Sequence, residues 1–122
     1  MAFISLAQPA RARLAATKGV TVIAQPSPRN PATLAMVIAG IRCIDLRRDG
    51  DAFHAMLHVR QGEWLPLAEG VSEDAAFSAI LAFLALVASV PQFYAPEHDA
   101  AERAAAAEVF ATFAAPVSRH AA

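Results

Sequence analysis

Cys43, Asp45, His54 and His58 are the residues of this 122-residue chain whose types and spacing could do chemistry. A carboxylate that fixes an imidazole tautomer is the orienting half of a nucleophile or general-base arrangement, and a nearby thiol could act as the nucleophile. Whether these side chains meet depends on how residues 41–60 pair. Residues 41–48 and 51–60 are two extended runs around Asp49 and Gly50, a dipeptide suited to the type I′ turn of a β-hairpin. With those two residues as the loop, Leu46 faces Phe53, Ile44 faces Ala55 and Asp45 faces His54, while Cys43 lies diagonal to His54. Asp45, His54 and Cys43 are therefore the catalytic candidates. The plainer reading of the same residues is an exposed polar pair and a small, buried hydrophobic cysteine.

His54 and His58 stand four apart on one strand, about 13 Å between Cβ atoms, too far to share one metal ion. No metal site is expected, and no cofactor. The chain contains no nucleophile elbow, no P-loop and no dinucleotide fingerprint.

A second tight turn at Gln61 and Gly62 would place Arg60 opposite Glu63 and Val59 opposite Trp64. Both turns together predict one inward face of Ile44, Leu46, Phe53, Ala55, Leu57, Val59 and Trp64. The outward face then carries Ile41, Cys43, Asp45, His54, Met56, His58, Leu65 and Leu67. That face mixes apolar with polar residues where a plain solvent face would be polar. Exposed apolar patches with a polar rim mark partner surfaces, so Ile41, Met56, His58, Leu65 and Leu67 are the interface candidates.

Around this meander the sequence predicts helices. Ser72 followed by Glu73 and Asp74 is a helix start, with a hydroxyl cap and two acids against the positive end of the dipole. The helix is expected to run over about 72–90, where Pro91 stops it. Its small residues Ala75, Ser78, Ala82, Ala85 and Ser89 form a seam that would admit a second, Ala-rich helix over about 97–114, with residues 116–122 a frayed tail. Nearer the start, a short helix over 10–17 and a strand over 20–24 precede a proline-rich loop at 25–31. Residues 32–40 suit strand or helix, and Val37, Ile38 and Ile41 tip them to strand. The fold class expected is α+β: an antiparallel meander of three or more strands over about 41–67, plus N-terminal strand material, packed on the two helices. One domain spanning 1–122 suits a chain of this length.

Charge is segregated along the chain. The first 44 residues hold Arg11, Arg13, Lys18, Arg29 and Arg42 with no acid, whereas no Lys or Arg occurs between Arg60 and Arg103, a stretch with seven acids. Attraction between the two segments, within the chain or from a second copy, is expected. The basic residues are widely spaced, lack interleaved aromatics and sit in a chain of net charge -1, which disfavours nucleic acid. The uncharged run 75–96 keeps about 16 residues before Pro91, short of the roughly 20 that span a bilayer, so membrane association is also disfavoured. A single cysteine allows no internal disulfide, and the short apolar start lacks a basic residue ahead of it, so no signal peptide is expected and the cytoplasm is the simplest location.

These features point to a small non-catalytic protein–protein interaction module, a homodimer or adaptor, whose partner is another protein or a second copy of itself. The alternatives are a small enzyme or ligand-binding domain built on the Asp45, His54 and Cys43 cluster, and a peripheral membrane protein.

Overall fold

The computed structural model describes residues 9–23, 33–59, 62–92 and 95–121. Helix α1 spans Pro9–Ala16, followed by strands β1 (Val20–Ile23), β2 (Thr33–Ala39), β3 (Arg42–Asp49), β4 (Ala52–His58) and β5 (Trp64–Val71). Helices α2 (Glu73–Leu86) and α3 (Pro96–Ala121) follow. All five strands form one antiparallel meander in sequential order, giving the α+β architecture with a central and a C-terminal helix. Residues 33–39 are strand, as their β-branched content suggests, and Gly40 takes the left-handed conformation (φ 65°) in the turn to β3. The proline-rich segment 25–31 and the expected pairing of Arg60 with Glu63 lie outside the described residues.

One face of the sheet carries Ala35, Val37, Ile44, Leu46, Ala55 and Leu57, all at most 3% exposed. Onto it pack Ala10 and Leu14 of α1, Phe77, Ile80 and Phe83 of α2, and Val109 of α3, forming a single core. Ser72 caps α2 as its sequence predicts, its hydroxyl accepting from the Ala75 amide. The helix ends sooner than Pro91 requires. At Val87 the amide reaches the carbonyls of both Ala85 and Phe83, and the chain leaves the helix so that Val87 is buried and the Val90 carbonyl meets Arg42. Of the expected small-residue seam, Ala85 and Ser89 are exposed, and α3 packs chiefly against β5 and less against α2. Its backbone also stays helical to Ala121, beyond the expected end near residue 114.

The first hairpin is offset from the sequence expectation. Asp49 pairs with Ala52, so Gly50 and Asp51 form the loop, with Gly50 at φ 63°. Two-residue hairpin turns take positive φ at their first central residue, which a glycine there adopts without strain. The chosen alternative keeps Asp49 in the strand within reach of His54, and lets Arg48 Nε donate to the Gly50 carbonyl at 3.0 Å. The register moves by two residues, which exchanges partners but keeps every side chain on its expected face.

The second connection moves the register by one and reverses the faces. His58 pairs with Trp64 and Leu57 with Leu65, while the Val59 amide donates to the Glu63 carbonyl at 2.8 Å. Trp64 therefore lies on the outer face rather than in the core. Leu65 turns inward, and Leu67 is fully buried, so neither belongs to the outer face as expected. A register irregularity near Pro66 lets Ala68 pair with Ala55 and brings it into the core beside Leu67.

The segregated charges meet across the fold. Arg42, 6% exposed, donates through Nε to Glu102 Oε2 at 3.0 Å and through Nη2 to the Val90 carbonyl at 3.2 Å. This clamp ties the start of β3 to α3 and to the turn after α2. Removing one partner of such a buried pair strands the other. Arg42→Met is expected to lower the unfolding free energy by about 3 kcal/mol in a urea titration, and Arg42→Met/Glu102→Leu to recover most of it. A single-variant loss of less than about 1 kcal/mol would show that the clamp does not hold these elements together.

Candidate functional site

Side-chain alternation lays the outer face out in rows across the strands. Thr21, Ile38, Cys43, His58 and Trp64 are successive cross-strand neighbours and form one row. Ile23, Met36, Asp45, Met56 and Pro66 form the next. Each row crosses five strands, roughly 20 Å at a strand spacing of about 4.8 Å. Thr21 is exposed and Asp45 buried, and the other eight residues are half-buried. Among the described residues the buried apolar side chains of the three helices, such as Leu14, Phe77, Ile80, Phe83 and Val109, pack in the core on the opposite face.

A cationic and aromatic cluster spans these rows. The Arg47 guanidinium lies over the Trp64 ring, its central carbon 4.4 Å from the centroid, and the His58 ring contacts Trp64 with centroids 4.5 Å apart. Such stacking is attractive because the cation sits over the negative face of the indole. Arg47 Nη2 stands 3.7 Å from Asp45 Oδ2, an ion pair too long for a hydrogen bond. That oxygen instead accepts from the Thr33 hydroxyl at 3.1 Å, which accounts for the burial of Asp45 and Thr33 on this face. Arg47 Nε is enclosed and has no hydrogen-bond partner.

The expected catalytic cluster does not assemble. Asp45 pairs with Met56, not His54, and His54 lies opposite Arg47. The His54 Nδ1 accepts from the Gly70 amide at 3.0 Å, which leaves Nε2 as the N–H directed toward Asp49 Oδ2 at 3.5 Å. Its role in this geometry is to satisfy an amide at an irregular point of β5, where Gly70 takes φ 68°. Cys43, half-buried, pairs across the strands with His58 rather than lying diagonal to His54. Among the described residues no group of three His, Cys, Asp or Glu side chains is placed to hold a metal ion. None of the described helices is long and apolar enough to cross a membrane.

Of the interface candidates, Met56 and His58 lie on the outer face. Ile41 stands in the turn between β2 and β3, 71% exposed, off the sheet itself. Sequence reading missed Trp64, Arg47, Met36 and Ile38. The alternation of residues 33–39 contained the signal for Met36 and Ile38, whereas Trp64 required the true register of β5.

A second concavity lies where α3 crosses β5. Leu65, Pro66, Ala106, Ala107 and Phe110 line a groove of about 230 Å³, with Arg103 at its rim. Arg103 is fully engaged there: Nη1 and Nη2 donate to Glu63 at 2.9 and 2.6 Å, and Nε to Asp99 at 2.8 Å. The hydrogen bond to Glu63, then that to Asp99, raises the pKa of the guanidinium.

Comparison of the chain with protein-family models, with curated proteins and with solved structures returned no match.

His54→Ala removes the acceptor of the Gly70 amide. The expected cost is about 1 kcal/mol of stability, with faster hydrogen exchange at Gly70 measured by NMR. Unchanged exchange at that amide would refute the role given to the imidazole.

Proposed function

We propose that this protein is a non-catalytic protein–protein interaction module that works as a homodimer, with the outer sheet face as its contact surface. The observation that carries this reading is the pair of cross-strand rows, rich in Met, Ile and Trp, on the side of the sheet away from the helices. Interfaces are enriched in aromatic residues, Met and Arg and depleted in Lys and Glu. Met36, Met56, Trp64 and Arg47 lie on the face, its two rows contain no Lys or Glu, and their one aspartate, Asp45, is buried against Thr33. Trp and Arg are also the residue types most often found at energetic hot spots.

The sheet geometry suits a second copy. One face is already committed to helices, so two such sheets can pack outer face to outer face about 10 Å apart, as in a β-sandwich. A non-catalytic role is supported by the engagement of Asp45 with Thr33 and by its separation from His54.

Ile38→Glu puts a charge in the first row, beside its central residue Cys43. Sedimentation equilibrium is expected to show a dimer for the wild type and at least about tenfold weaker association for Ile38→Glu, a change of about 1.4 kcal/mol. Circular dichroism should be unchanged. Leu86→Glu, on the helical side where Leu86 is 44% exposed, should leave association intact. A wild-type chain that remains monomeric at every concentration would overturn the homodimer.

A further inference from the structure

From the unused donors of Arg47 we infer that the two copies meet about a two-fold axis beside β3, each Arg47 taking the Asp49 carboxylate of the other copy. The inference rests on the reading of the outer face as the dimer surface, and adds the partner groups and the symmetry.

Arg47 carries the argument. A guanidinium has five N–H donors in a planar fork. None of the Arg47 donors is hydrogen-bonded to a described residue: Nε has no partner, and Nη2 is held 3.7 Å from an Asp45 oxygen already used by Thr33. The group is nonetheless fixed, because it lies over the Trp64 ring. A positioned cation with unused donors loses little freedom when a carboxylate arrives, and the fork favours two-point contact with a carboxylate. Nε is enclosed, so the incoming oxygens meet the Nη ends.

Asp49 supplies the complementary group. It follows Arg47 by two residues on the same strand and projects from the same face, with its side chain 80% exposed. Its contact with His54 Nε2, at 3.5 Å, is long. Asp45 does not serve, being 5% exposed and tied to Thr33. Two positions on one strand lie about 7 Å apart, so an axis passing between them sets each cation against the opposite anion. Such reciprocity is what an isologous interface requires. A polyanion such as nucleic acid suits this site poorly, since Asp45, Asp49 and Asp51 surround Arg47 on β3 and in its turn.

Charge reversal tests the reciprocity directly. Arg47→Asp alone brings a second carboxylate against Asp49 of the other copy, and Asp49→Arg alone brings a second guanidinium against Arg47. Each variant is therefore expected to associate at least about tenfold more weakly than the wild type by sedimentation equilibrium. Mixed, the two variants place opposite charges together at both contacts, and the heterodimer should form with an affinity close to the wild-type value. Trp64, the only tryptophan, provides a second readout through its fluorescence on mixing. Where Arg47→Asp does not fold, Arg47→Met retains an unbranched apolar stem, and its mixture with Asp49→Arg should regain one of the two pairs. A monomeric wild type overturns both the homodimer and this pairing. A dimeric wild type with unaffected single variants, or weakened variants that fail to complement, overturns the pairing alone.

Discussion

An antiparallel strand sends successive side chains to opposite faces, and in this protein the described helices cover only one of the two faces of a five-stranded sheet. Away from the irregularities near Thr33 and Pro66, strand positions from Thr33 to Val71 are therefore assigned either to a helix-covered core or to an outer surface by parity of register. A slip of two residues is tolerated, because it exchanges neighbours and spares the division between faces. A slip of one moves a whole strand across that division. Both occur here, the first between β3 and β4 and the second between β4 and β5.

The polar groups that the fold encloses follow the same division. On the core side, Arg42 enters the protein at the start of β3 and is neutralised by Glu102, a contact between the acid-free beginning and the acid-rich later part of the chain. On the outer side, Asp45 is enclosed with Thr33, and Arg47 is carried over the sheet to Trp64. The two arginines differ in one respect that matters. Arg42 commits its donors within the chain, whereas the donors of Arg47 find no acceptor among the described residues. Among the buried side-chain nitrogens and oxygens of the described residues, Arg47 Nε alone lacks a hydrogen-bond partner.

The functional reading shifts accordingly from chemistry to contact. Aspartate, histidine and cysteine side chains lie on one face, but each is taken up by a different neighbour: Asp45 by Thr33, His54 by Gly70, and Cys43 across from His58. What the face offers collectively is area, aromatic and sulfur-bearing side chains, and a cation held in place by an indole. Those properties support the association surface proposed for this face.

Several features were legible in the sequence because their causes are local. The alternation of Ile44, Leu46, Ala55 and Leu57 named the inner face of β3 and β4, the hydroxyl of Ser72 with two acids behind it named the start of α2, and the β-branched residues of 33–39 named a strand. Trp64, Leu65 and Leu67 were misplaced because a turn dipeptide is compatible with more than one loop length and register. The choice between loops is made by groups distant in the chain: His58 and Arg47 receive Trp64 on the outside, while the core receives Leu65 and Leu67. The end of α2 is similar, since the carbonyl of Val90 is drawn to Arg42, 48 residues away. Sequence by itself determined which segments are strand or helix, for those preferences are settled within a few residues. Tertiary structure alone decided register, and with it which side chains share a face, because register depends on packing partners that no local stretch of chain contains.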